Sequence, residues 1–161
     1  MRELLGDIEL NLGQAVCMAR AMLKVANADG VHPREQQLVT SFYEDCCHGD
    51  AAAEALDARA FDLAEAHGVL NTLALKEATL KSCYLVALVH GAITPEEKNC
   101  LSEIGAGLEV SEEDSHRWLQ ETQAYLLGQF AAVSTFRDEV KAIAAEMGLS
   151  EAEAEALFSG K

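Results

Sequence analysis

At 161 residues, half of them apolar, the chain is long enough to bury a real core and too hydrophobic to be disordered. Its 27 acids against 12 Lys and Arg give a formal charge of −15. That charge excludes the dense basic face that binds nucleic acid or anionic lipid; it suits metal cations or a basic protein partner, and equally plain solubility.

No basic segment leads into an apolar one at the start, so no secretory signal is expected. The longest apolar run, Tyr84–Val89, is far short of the ~20 residues that span a membrane. Five cysteines, an odd number without framework spacing, fit a reducing compartment. The expected location is the cytoplasm.

Helical periodicity dominates and no alternating strand is found. Over 14–28, Ala15, Ala19, Met22 and Ala26 share one face, with Val16 and Leu23 beside it. Asp29-Gly30 ends this helix, glycine taking the left-handed position at little cost. Pro33 suits the first turn of the next helix, which carries Leu38, Val39, Phe42, Tyr43 and Cys46 on one side and stops near His48-Gly49. A third pattern runs from about Asp50 to Ala66, with Leu56 and Leu63, and closes at His67-Gly68.

A fourth covers 75–89 and is apolar all round from Cys83, which marks it as the central helix. Thr94-Pro95-Glu96-Glu97 then forms a capping box, ahead of a stripe of Leu101, Ile104 and Leu108. Ser111 opens a helix using Trp118, Leu119, Thr122 and Leu126, with Gly128 as its expected break. Phe136, Val140, Ile143 and Met147 follow, and a last short helix starts at Ser150 with Glu153 completing its box. The prediction is an all-α fold: one compact bundle of about seven to eight helices over 1–161, built from two pseudo-repeated helix-turn-helix units.

The repeated element is a short turn. Its first copy is Ala28-Asp29-Gly30-Val31-His32-Pro33-Arg34-Glu35, and its second is Val89-His90-Gly91-Ala92-Ile93-Thr94-Pro95-Glu96-Glu97. An EF-hand needs oxygen ligands at loop positions one, three, five and twelve. With Gly30 or Gly91 at the sixth position, the first falls on Val25 or Val86, so neither turn is a calcium loop of that kind.

What remains is a corner with Asp29 and Glu35 and another with His90, Glu96 and Glu97. If the corners face each other, Asp29, Glu35, His90 and Glu97 make a divalent-cation site. The same residues also read as helix-capping acids at Glu35 and Glu97 and a turn residue at Asp29.

Cys17, Cys83 and Cys100 lie on or beside apolar faces, as small buried hydrophobes do. Cys46-Cys47-His48 lacks zinc-ligand spacing; the Cys46-Cys47 pair, near a helix end, is the best place for a reactive thiol. No phosphate loop, Gly-x-Ser-x-Gly elbow or His-Glu-x-x-His is present. The five histidines, at 32, 48, 67, 90 and 116, have no spaced partner.

With their flanks, the two corners resemble the TerB-like family of tellurite-resistance proteins. The residues that carry the resemblance are Ala26-Asn27-Ala28-Asp29-Gly30 with Glu35, and His90-Gly91-Ala92-Ile93-Thr94-Pro95-Glu96-Glu97 followed by Leu101-Ser102-Glu103-Ile104-Gly105 and the stretch from Leu108 to Asp114. The resemblance covers roughly 14–128 and leaves 129–161 uncovered. His90 stands where the second motif has aspartate, and the first copy is one residue short between Gly30 and Glu35.

The resemblance implies a cytoplasmic, non-enzymatic scaffold or sensor module in a stress response of the tellurite-resistance type. It also implies a protein partner, peripheral membrane association through that partner, and a metal cation at the acidic turns. The alternatives are a metal-free acidic adaptor for a basic partner and a thiol-dependent enzyme using Cys46 or Cys47.

Overall fold

The computed structural model describes residues 2–6, 8–30, 32–47, 57, 60–132, 137–150, 152–154 and 156. Among them are eight helices and no strand: α1 (Arg2–Leu5), α2 (Leu12–Ala26), α3 (Pro33–Cys47), α4 (Leu63–Val69), α5 (Leu73–Leu88), α6 (Pro95–Gly107), α7 (Glu112–Ala132) and α8 (Arg137–Glu146). The all-α expectation and its helix count are met.

The centre of the fold is α5. Every residue from Ala78 to Leu88 is buried, as its unbroken apolar circumference requires. Each large side chain here, such as Leu80 or Val86, contributes about 1.5–3 kcal/mol of burial. Around α5 pack α2, α3, α6 and α7, while α4 lies against α2 and α6. One core joins Met18, Met22 and Val25 of α2 to Val39 and Phe42 of α3, Ile104 of α6 and Trp118 of α7. A second cluster gathers Leu88, Leu127, Ala144, Met147 and Ala154, so the C-terminal helices close over the far ends of α5 and α7.

Local chemistry sets the helix ends. Asn11 and Gln14 form a capping box at the start of α2, Asp62 caps α4 and Thr72 caps α5. Ser111 Oγ accepts from the Asp114 amide at 3.1 Å, and Ser150 and Glu153 make the expected box before the last helical turn.

Three expectations are corrected. The second helix ends at Ala26, where Asn27 caps it by donating from Nδ2 to the Leu23 carbonyl at 2.7 Å, so Asp29-Gly30 lies in the turn and does not stop the helix. Gly128 does not break α7, which continues to Ala132; a helical glycine costs only about 1 kcal/mol, and Leu127 beside it is fully buried. The described part of the third pattern starts at the Asp62 cap and runs through His67-Gly68 to Val69. The stretch from Asp50 through Leu56, the stop at His48-Gly49, and Phe136 lie outside the described residues.

Candidate metal centre

Two corners are built alike. The α2–α3 corner turns through Gly30 at φ +137° and the α5–α6 corner through Gly91 at φ +118°, backbone states that side chains resist. Each next helix starts on proline, Pro33 or Pro95, and places a glutamate in its first turn, Glu35 or Glu97. Because α2 and α5 pack together and each runs into its corner, the two glutamates meet with His90 between them.

One ligand atom each from Glu35, His90 and Glu97 falls within 4.8 Å of the others. Nε2 of His90 lies 2.8 Å from Oε1 of Glu35 and 3.4 Å from Oε1 of Glu97. Both glutamates are 0% exposed, and the His90 side chain is 22% exposed. Asp29, His32 and His90 make a second group of the same span, on the solvent side of the first. His32 Nε2 stands 3.5 Å from Asp29 Oδ1, and the His32 and His90 rings are 5.1 Å apart and tilted by 42°. Asp29 is exposed through its turn backbone, yet its side chain is only 14% exposed.

The hydrogen bonding separates the two glutamates. Oε2 of Glu97 accepts from the Thr94 amide at 2.8 Å and from Thr94 Oγ1 at 3.1 Å, while the Glu97 amide donates to Thr94 Oγ1 at 3.3 Å. Glu97 is therefore the capping acid its spacing predicts, but only through Oε2. Among the described residues, Oε1 of Glu97, both oxygens of Glu35 and Nε2 of His90 have no hydrogen-bond partner. The 2.8 Å approach of His90 to Glu35 is short enough for a hydrogen bond but does not have the direction of one. Glu35, read as a capping acid from its position, caps nothing.

Burying a carboxylate without donors is costly, and at Glu35 the cost shows in its protonation. Burial pushes the Glu35 carboxyl up from 4.5 to about 7, against the opposing pull of the His90 imidazole and with further help from the charges of Glu97 and Asp29. Three carboxylate oxygens and an imidazole nitrogen thus converge at a buried point, a donor set that could hold a cation.

Of the four residues predicted as ligands, Glu35, His90 and Glu97 are brought into one group, while Asp29 joins His90 in the second group with His32. Sequence reasoning missed His32, whose partner His90 lies in the other corner. Its signal was present: His32 is the residue before Pro33, an N-cap position where Ser, Thr, Asp or Asn is normal.

Other groups offer less. A pocket between α5, α6 and α7 is lined by Tyr84, Leu88, Lys98, His116, Leu119 and Met147, and there the Tyr84 hydroxyl is already bonded to Ser115 at 2.5 Å. Burial pushes the Cys17 thiol up to about 11 and raises Cys83 and Cys100 as well, which suppresses their thiolates. Cys46 is half-buried; His48 and the Cys47 side chain lie outside the described residues. No helix among the described residues is long and apolar enough to cross a membrane. Comparison with protein families, with curated proteins and with solved structures finds no match to this chain.

Proposed function

We propose that this chain is a non-enzymatic interaction module of the TerB-like kind, a scaffold or sensor whose two corners are clamped by one divalent cation. The observation that carries the reading is the pair of fully buried carboxylates, Glu35 and Glu97, which have three oxygens without a hydrogen-bond partner among the described residues and bring one Oε1 each to Nε2 of His90. Two carboxylates and a dication sum to zero charge, and the imidazole adds a lone pair without adding charge. A buried site tolerates that neutral complex, whereas two bare carboxylates are repelled by burial and by each other.

The clamp gives the module its switch. The ion ties the first turn of α3 to the turn after α5, so its arrival or loss changes how firmly the two corners hold together. The strongly acidic chain suits a basic protein partner, and the resemblance of the corners supports a cytoplasmic stress-response setting.

Calorimetric titration of chelator-stripped protein with divalent ions tests this. The expected result is one ion per chain for the parent, with binding abolished in Glu35→Gln and Glu97→Gln. A parent protein that binds no ion, or variants that bind as well as the parent, would remove the reading.

A further inference from the structure

The donor atoms also say which class of ion the site takes. Calcium is held by six to eight oxygens, and magnesium by a near-ideal octahedron that retains several waters. This site offers neither. Glu97 has only Oε1 to give, because Oε2 is committed to the Thr94 cap. Glu35 supplies at most two oxygens, and the next donor is a nitrogen, Nε2 of His90. Both glutamates are 0% exposed, so any water ligand would have to enter past His90 and His32 on the solvent side.

A second imidazole stands beside the first. The His32 and His90 rings are 5.1 Å apart, and His32, His90 and Asp29 each place a ligand atom within 4.8 Å of the others. Two imidazoles with monodentate carboxylates are the donor set of first-row transition ions and zinc.

We infer that the corner site selects a divalent transition-series ion (zinc, cobalt, nickel or their neighbours) over calcium and magnesium, with Glu35, His90 and Glu97 as the inner ligands and His32 and Asp29, which share His90 with them, as the solvent-side ones. This inference rests on the cation reading above, and it can fail while that reading stands. Nitrogen ligands set the preference, because imidazole holds d-block ions far better than it holds calcium or magnesium. Replacing His90 by a carboxylate therefore weakens cobalt and zinc while improving the fit to a hard ion.

The test uses the full chain with Co2+, Zn2+, Ca2+ and Mg2+ in separate titrations. Cobalt and zinc are expected to bind at least about tenfold tighter than calcium or magnesium. In His90→Asp the ratio of cobalt to calcium affinity is expected to fall by about tenfold or more, and in His32→Ala cobalt binding weakens while the fold is kept. Should His90→Asp fail to fold, the Co2+-loaded parent supplies the second measurement: hyperfine-shifted imidazole resonances from His90 and His32 in its proton spectrum.

Calcium or magnesium binding as tightly as cobalt would overturn the ion class and leave the cation clamp in place. So would a cobalt complex with no shifted imidazole. An intense thiolate charge-transfer band, lost in Cys46→Ser/Cys47→Ser, would place cobalt elsewhere and overturn it too. No binding of any of the four ions would overturn both the ion class and the clamp.

Discussion

His90 and Glu35 stand 2.8 Å apart across a tertiary contact, one in the turn after α5 and the other in the first turn of α3. Neither atom at that contact has a hydrogen-bond partner among the described residues. The approach brings an imidazole and a carboxylate from different helical corners to a common point. Glu97, 3.4 Å from the same nitrogen, completes the triangle.

The metal-free protein should lose stability as pH rises. In the unfolded chain Glu35 titrates near 4.5, and in the fold near 7. Below the lower value both states hold the proton, and the stability from keeping Glu35 neutral is fully present. It drains away as pH climbs through 7, where the folded protein must carry a charge on a buried carboxylate. At pH 8 without metal, Glu35→Gln should exceed the parent in stability by about 1–3 kcal/mol, and at pH 4 the gap should close. Thermal melts in chelator across this range check it; a gap that does not vary with pH refutes it.

A bound cation reverses that slope. It competes with the proton on Glu35, so affinity should fall as pH drops below 7, and binding near neutrality should release a proton. At an ion concentration about a hundredfold above Kd, the parent should gain about 2.7 kcal/mol. Titrations of the parent in two buffers of different ionisation enthalpy measure the released proton; binding heats that do not depend on the buffer would refute it.

Glu97 has two separable duties. Glu97→Gln keeps a carbonyl oxygen to accept from the Thr94 amide, so the metal-free variant should melt close to the parent while failing to bind an ion. Glu97→Ala loses the cap as well and should cost a further ~1 kcal/mol or more. Equal melting points for the two variants would mean that the cap contributes nothing.

Lys81 predicts an asymmetry on the other side of α5. Its side chain is 8% exposed and its ammonium lies 2.6 Å from both Glu77 and Glu121, whose side chains are 37% and 44% exposed. These two partners hold its pKa up against burial, which pulls it down. Lys81→Met leaves two carboxylates that water can reach and should cost under about 1 kcal/mol. The double variant Glu77→Ala/Glu121→Ala strands a buried ammonium and should cost about 3 kcal/mol or more. Denaturant unfolding of both variants decides whether the order holds.

The core thiols should be silent. With Cys17 pushed to about 11, and Cys83 and Cys100 raised by the same burial, alkylation of these three near neutral pH should await unfolding. Mass spectrometry of partly alkylated native protein checks this. Fast labelling at Cys83 would refute the packing of α5.

The helices were legible in the chain itself. Periodicity, proline at first turns and short-range caps are interactions of residues three or four apart, so the Thr94–Glu97 box and the buried run of α5 needed no three-dimensional information. The likeness of the two corners was equally visible, as the glycine, proline and glutamate of each. Where the fold departed, at Gly128 and at the end of α2, packing and a side-chain cap outweighed a weak local signal.

Tertiary structure alone decided what the corners do. Spacing gives Glu35 and Glu97 the same capping role, but only burial and partner geometry show that Glu35 caps nothing and that Glu97 caps with a single oxygen. Nor could spacing pair His32 with His90, which are distant in sequence and adjacent in space. A cation site depends on distances between side chains from different helices, and those distances are fixed by how α2, α3 and α5 pack.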